Sequence, residues 1–237
     1  MLFSAYGSDE LAGDRPSTRM RVNLVLIGPP GSGKGTQAVR LAQHYRVPHI
    51  STGDILRAAV KAGTPLGRLV ADTLANGGLV GDELMSDLVR TRLREPDCVN
   101  GFILDGFPRT VSQAPVLDDV VQAPLLVILI DAADEEIVRR LGKRRICGSC
   151  GITQSVLQDV EEQIDPCPYC GGTLVRRQDD DPATVRRRLN TYAQFAAPVV
   201  AYYQARATFG KVDGLRHPAE VTAALRSTID GFLAKSN

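Results

Sequence analysis

The sequence predicts an α/β fold, a P-loop parallel five-stranded sheet core flanked by helices. Three observations carry the prediction. Short apolar runs recur along the chain and are continuous, as in strands covered by helices on both faces. Capped, one-sided helical patterns lie between those runs. The glycine-rich turn GPPGSGKGT (residues 28–36) joins the first apolar run to a helical stretch, the context that a phosphate-binding loop requires.

The first twenty residues stand outside this pattern. They lack a basic start followed by an apolar core, so they are no secretory signal, and Asp9, Glu10 and Asp14 argue against a transit peptide. Residues 1–20 read as a disordered N-terminal extension, with translation from Met20 an equal alternative. The first strand is residues 22–27. In the turn after it, Gly28, Gly31, Gly33 and Gly35 let backbone N–H groups converge on one anion. The helix TQAVRLAQHY then adds the positive end of its dipole. Lys34 supplies a mobile charge for a transferring phosphate. Gly35 follows the lysine where a general P-loop has Ser or Thr, and Thr36 comes one place later.

A second strand, residues 49–51, leads into STGDILR. There Ser51 or Thr52 caps a helix, Asp54 falls in its first turn, and Arg57 is harder to explain as filler if that helix faces the same cleft as the loop. Residues 51–80 are mostly helical but broken by Gly63, Pro65, Gly77 and Gly78. Asp82 reads as the cap of a helix striped by Leu84, Met85, Leu88 and Val89 and ended near Pro96. The third strand, residues 101–104, ends in LDGFPR. Asp105 at that strand end suits Mg²⁺ held through water, Gly106 allows close approach of a ligand, and Arg109 can clamp a phosphate. After the fourth strand, residues 125–130, Asp134, Glu135 and Glu136 precede Arg139 and Arg140, the charge order a helix dipole favours. Asp181 and Pro182 open a helix striped by Val185, Leu189, Tyr192 and Ala196. The fifth strand is residues 211–212.

Residues 143–180 carry little helical signal but hold Cys147-x2-Cys150-x16-Cys167-x2-Cys170. Two matched pairs at this spacing predict four-thiolate structural Zn²⁺, against a redox pair or a nucleic-acid-binding ribbon. Cys98 has no partner in sequence and reads as a core residue. Arg140, Arg144, Arg145, Arg176, Arg177 and Arg186–Arg188 read, for most individual members, as solvated faces, with a basic nucleic-acid patch as an alternative. As a group they bracket the cysteine segment, a placement that a phosphate-rich ligand closing under it would explain. His44, His49 and His217 read as structural, and phosphoryl transfer needs no such base. The chain has 237 residues, 43% hydrophobic and 23% charged, with net charge +1, so bulk electrostatics give a nucleic-acid partner no support. Tyr169 is the one aromatic near the arginines that could stack on a base. No apolar run reaches membrane-spanning length.

Together, GPPGSGKGT, STGDILR, DGFPRT with Gln113, RRIC and the Arg186–Arg188 helix resemble the adenylate kinases, in matching order from Met20 almost to the C-terminus. The resemblance implies a core of residues 21–50, 81–142 and 181–237. It implies an inserted helical nucleoside-monophosphate-binding (NMP) domain at 51–80 and an inserted zinc-binding lid at 143–180. It implies reversible, Mg²⁺-dependent transfer of the ATP terminal phosphate to AMP, in a cytoplasmic monomer without nucleic-acid or membrane partners. Gly31, Ser32, Gly33, Lys34, Gly35 and Thr36 would hold the ATP phosphates. Arg140 and Arg144 would meet them from the lid side, and Thr153, Gln154 and Arg216 would lie near the adenosine. Thr52, Arg57, Gly78, Leu79, Val80, Gly106, Phe107, Pro108, Arg109 and Gln113 would hold AMP. Arg177 and Arg188 would close the clamp around the reacting centre, where Lys34, Arg109 and Arg144 also act, with Asp105 placing Mg²⁺. Cys147, Cys150, Cys167 and Cys170 would ligate zinc. Gln154 departs from the family, which often has an aromatic there, whereas Gly35 after the lysine is normal for it. A kinase for UMP or CMP is the alternative, and an ATP-dependent nucleic-acid-binding zinc ribbon a more distant one.

Overall fold

The computed structural model describes residues 21–155, 166–206 and 208–235. The N-terminal extension expected at 1–20 lies outside the described residues. Five strands, β1 (Val22–Ile27), β2 (His49–Ser51), β3 (Gly101–Asp105), β4 (Leu126–Asp131) and β8 (Phe209–Asp213), form a parallel sheet in the order β2-β3-β1-β4-β8. All five predicted strands are present; β1 and β2 keep their predicted bounds, while β3, β4 and β8 are extended or shifted by one or two residues at their ends.

The strand sequences are continuous because both faces are buried. Leu24, Leu26, Ile128 and Ile130 pack with Ala38 and Leu41 of α1 (Lys34–Tyr45) and Leu225 and Ile229 of α8 (Pro218–Lys235). Val25, Leu104, Val127 and Leu129 point the other way. They meet α4 (Asp82–Leu93), α5 (Gln113–Val120) and α7 (Pro182–Gln204) through Met85, Val89, Leu117, Val199 and Tyr203. At the end of α7, Tyr202 Oη and Arg206 Nη2 grip the Asp118 carboxylate of α5 at 2.6 and 2.7 Å. No helix among the described residues is long and apolar enough to cross a membrane.

Between β2 and α4 lie two helices, α2 (Thr52–Lys61) and α3 (Pro65–Ala75). Ser51 is the cap of α2, its hydroxyl accepting from the Asp54 N–H at 3.2 Å. After α6 (Asp134–Gly142) the chain forms a small antiparallel sheet of β5 (Arg144–Cys147), β6 (Thr153–Ser155) and β7 (Leu174–Val175), with β5 in the centre. Asp181 caps α7 through the Thr184 N–H at 3.0 Å, with Pro182 first in the helix, as expected.

Asp82 differs from its reading. Gly81 occupies the cap position of α4 and Asp82 is the first helical residue. The Asp82 carboxylate instead accepts from Thr110 Oγ1 at 2.9 Å, from Gln113 Nε2 at 2.7 Å, and from the Ser112 hydroxyl. These three bonds outweigh its partial burial and hold its pKa below the usual carboxylate value. A long-range anchor has replaced a local cap.

Candidate functional site

In a parallel sheet whose strand order reverses, ligands sit at the carboxyl ends of the strands around the reversal. Here β1 is flanked by β3 and β4, and a cavity of about 1180 Å³ opens at those ends. Its floor is the loop after β1, where Gly28 has φ +147° and a Cβ would lie 2.3 Å from the Ile130 carbonyl oxygen. Only glycine lets the chain leave the sheet so close to β4. The Ser32 hydroxyl is buried in this loop with no hydrogen-bond partner among the described residues. An orphaned buried donor beside the N-terminus of α1 suits an anion.

Lys34 Nζ donates to the Gly28 and Pro29 carbonyls at 2.7 and 2.8 Å. Burial drives its pKa down to about 8; Asp105 opposes the fall, while Arg109, Arg188 and Arg144 add to it. The Asp105 carboxylate ends β3 across from the loop, 3.6 Å from where a Cβ on Gly35 would stand. Among the described residues it makes no hydrogen bond or close ion pair, so it is available to a hydrated cation.

Arginines converge from three elements. Arg144 of β5 makes a two-pronged pair with Asp180, one arm at 2.6 Å, and the Asp180 side chain is fully buried. Arg177 grips Asp179 at 2.9 and 2.7 Å. Arg188 of α7 reaches the carboxylates of both, at 3.0 and 3.4 Å. Burial alone would raise the Asp179 pKa, but Arg177, Arg188 and Arg57 reverse that and hold it at about 2. Burial lowers Arg188 to about 10. Two aspartates thus neutralise a cluster that anionic ligands can also satisfy. Sequence reading missed both: the Arg144 partner of Asp180 lies 36 residues away, and the Asp179 pairs with Arg177 and Arg188 look like ordinary local charges of a turn. We expect Asp180→Ala to destabilise the fold by about 3 kcal/mol, since it leaves the mostly buried Arg144 without its carboxylate partner. Urea unfolding checks this, and a change within error would show that Arg144 finds another partner.

On the other side of the cleft, the loop after β3 is held from behind. The Thr52 hydroxyl and Arg109 Nε both donate to the Gly106 carbonyl, at 3.0 and 2.8 Å. The Arg109 N–H donates to Gln113 Oε1 at 2.8 Å, and Gln113 is itself fixed by Asp82. Thr52 and Phe107 are fully buried and lie behind the cavity wall. Val80 and Gln113 line an adjoining recess with Leu56 and Met85. Every other nucleotide-site candidate named from the sequence lines the main cavity: residues 31–36, Arg57, Gly78, Leu79, Asp105, Gly106, Pro108, Arg109, Arg140, Arg144, Thr153, Gln154, Arg177, Arg188 and Arg216.

Arg140 is held over the opening by Glu136 Oε1 at 2.7 Å and by the Gly214 carbonyl at 2.8 Å. Tyr169, Tyr192 and Phe195 also line the cavity; in sequence Tyr192 is named only as part of the α7 stripe, and no pattern marks Phe195. His217 accepts from the Ala219 N–H at 3.4 Å at the start of α8, a structural role as expected, and also reaches the cavity edge. Cys98 is buried, in agreement with its core reading.

The four paired cysteines meet. Their sulfurs all lie within 4.8 Å of one another, with Cys147 Sγ 3.5 Å from Cys170 Sγ and Cys150 Sγ 3.7 Å from Cys167 Sγ. Tetrahedral Zn²⁺ with Zn–S near 2.3 Å places its sulfurs about 3.8 Å apart. The donor set and its spacing fit such an ion, and all four positions would be protein thiolates.

A family model described as adenylate kinase matches residues 26–208. A protein named adenylate kinase from Kosmotoga olearia is 47% identical over 215 residues, 89% of this chain and 100% of that protein. One of the same name from Methanocella arvoryzae is 44% identical over 212 residues, 88% of this chain and 98% of its own. One from Trichlorobacter lovleyi is 44% identical over 212 residues, 88% and 99%.

Proposed function

The chain belongs to the adenylate kinase family, and on that premise we propose how its residues divide the transfer of a phosphoryl group between two nucleotides. The enzyme moves the ATP terminal phosphate reversibly to AMP, giving two ADP, with Mg²⁺ accompanying ATP. The observation that carries the division of labour is the single cavity. It joins the anion-accepting loop to the Gly106–Arg109 loop, with Arg144, Arg177 and Arg188 between them.

The loop from Gly31 to Thr36 holds the donor phosphates and Lys34 follows the transferring group. Arg140, Thr153, Gln154 and Arg216 flank the donor nucleoside. The acceptor takes Arg57, Gly78–Val80, Gly106–Arg109 and Gln113, with Thr52 and Phe107 acting from behind by fixing the loop backbone. An AMP phosphate oxygen, already ionised, attacks the ATP γ-phosphorus. The bond to the β,γ-bridging oxygen breaks and ADP leaves, so no base must remove a proton. The residues must instead neutralise two polyanions and exclude water. Asp105 would hold Mg²⁺ through water, and the ion would supply charge neutralisation to the donor phosphates when bound.

Residues 51–80 act as the acceptor-binding insertion and residues 143–180 as a lid, closing over the cavity from opposite sides. Arg144, Arg177 and Arg188 exchange aspartate oxygens for phosphate oxygens as ligands arrive. We assign one structural Zn²⁺ to Cys147, Cys150, Cys167 and Cys170, which organises the lid and touches no substrate.

A coupled assay with ATP and AMP, GMP, UMP or CMP tests the acceptor assignment. The kcat/KM for AMP should exceed that for each other monophosphate by about a hundredfold or more, because a site built for one base leaves polar groups unpaired with another. Comparable use of UMP or CMP would replace the AMP reading.

A further inference from the structure

Arg187 sits beside Arg188 in α7 but points its bonds elsewhere. Its Nε donates to the Asn76 carbonyl at 3.0 Å and its Nη2 to the Thr184 hydroxyl at 2.7 Å. That hydroxyl lies 3.3 Å from Asp181 Oδ2, the oxygen that also caps α7. A chain of four groups therefore runs from the start of α7 to the end of α3.

The end of α3 needs such a partner. Asn76 is its C-cap, and its last turn contains no basic residue. Terminal carbonyls without intrahelical donors carry the negative end of the helix dipole. Arg187 brings a cation to them from 111 residues away. Gly77, next in the chain, rests on the stem of Arg188. It has φ +72°, and a Cβ there would lie 2.7 Å from Arg188 Cγ and 3.3 Å from Thr184 Cγ2. The residues after it, Gly78 and Leu79, line the cavity, and Val80 lines the adjoining recess.

The geometry points to Arg187 and Gly77 as positioning residues for the phosphoryl transfer. Arg187 fastens the α3 turn to α7, and Gly77 lets that turn seat on the stem of Arg188. Filling of the acceptor subsite is thereby tied to the placement of an arginine at the reacting centre. The inference rests on the roles given above to Gly78–Val80 and Arg188. An exposed arginine in a charged run is most often a solvated bystander. Arg186 fits that description, with no hydrogen bond or ion pair among the described residues, and serves as the control.

The test is steady-state kinetics on the full chain with AMP and ATP varied separately. Arg187→Ala should raise KM for AMP about tenfold and lower kcat about threefold, the scale of losing charge-assisted hydrogen bonds. KM for ATP should stay within about twofold and the Tm within about 2 °C. Arg187→Lys, which keeps a cation at the Asn76 carbonyl, should recover part of the AMP affinity. Gly77→Ala should act mainly on kcat by displacing Arg188, and Arg186→Ala should match the parent. An unchanged KM for AMP in Arg187→Ala, or equal rises for both nucleotides, would overturn the inference. Turnover retained in Arg188→Ala would instead remove the reading of the reacting centre on which it rests.

Discussion

Replacing Lys34 with alanine is expected to lower kcat about a thousandfold, roughly 4 kcal/mol of transition-state stabilisation, while leaving the fold intact. Its ammonium rests on the Gly28 and Pro29 carbonyls, at the bottom of the loop where the transferring phosphate develops charge. No other cation stands within the loop, because the arginines reach it only from the opposite wall. The side chain belongs to none of the apolar clusters, so its loss should not lower the Tm. Near-normal turnover in the variant would sink the assignment of the loop.

The same lysine sets a pH signature. With a pKa of about 8 in the ligand-free loop, Lys34 loses its proton well below the usual range for lysine. ATP then has to bring a proton with it, so kcat/KM for ATP should fall above about pH 8. The kcat at saturating ATP should persist to higher pH, since bound phosphate favours the ammonium. For stability the sign is opposite. Between about pH 8 and 10.5 the unfolded chain binds more protons at this group than the folded one, so the contribution of Lys34 to stability rises with pH there.

Removing the metal should have the second large effect. The apolar cluster of the small sheet consists of Cys147, Cys167 and Leu174 with Ile152 packed against them. Two of those four are proposed metal ligands, and the strands pair over only three and two residue positions. A three-stranded sheet with so small a core does not hold by itself, so the proposed ion would be most of its core. Chelation or Cys147→Ala should release about one Zn²⁺ per chain and lower the onset of melting by about 10 °C. Melting should then split, with amide protection of Arg144–Cys147 lost before that of the parallel sheet. Turnover should decline after this local change, because Arg144 and Arg177 frame the sheet and lose their alignment. Melting that chelation does not alter, in protein purified without zinc, would return the cysteines to a redox role, which thiol counting would reveal.

The parts of the site that were legible share one property. Gly28 to Thr36, Asp105 to Arg109 and the cysteine pairs each place chemistry within a few residues of sequence, so spacing alone exposes it. What spacing could not show was which distant group answers each charge. Asp82 looked like a helix cap because the local pattern rewards a cap; three donors from residues 110–113 claim it instead. Arg187 looked like one of a basic run until the end of α3 came to rest against it.

The sequence by itself determined the five strands, the helices α1, α2, α4, α6 and α7, the phosphate loop and the cysteine quartet. Those follow from local periodicity, glycine placement and ligand spacing, and they suffice to name a phosphoryl-transfer fold. Only the tertiary structure decided the order β2-β3-β1-β4-β8, which puts Asp105 across from Lys34. It also decided the use of Asp179 and Asp180 as counter-ions for three arginines, and the retreat of Thr52 and Phe107 behind the wall. The physical reason is that burial and ion pairing are set by which groups the fold brings together, and no local pattern records which of them will meet.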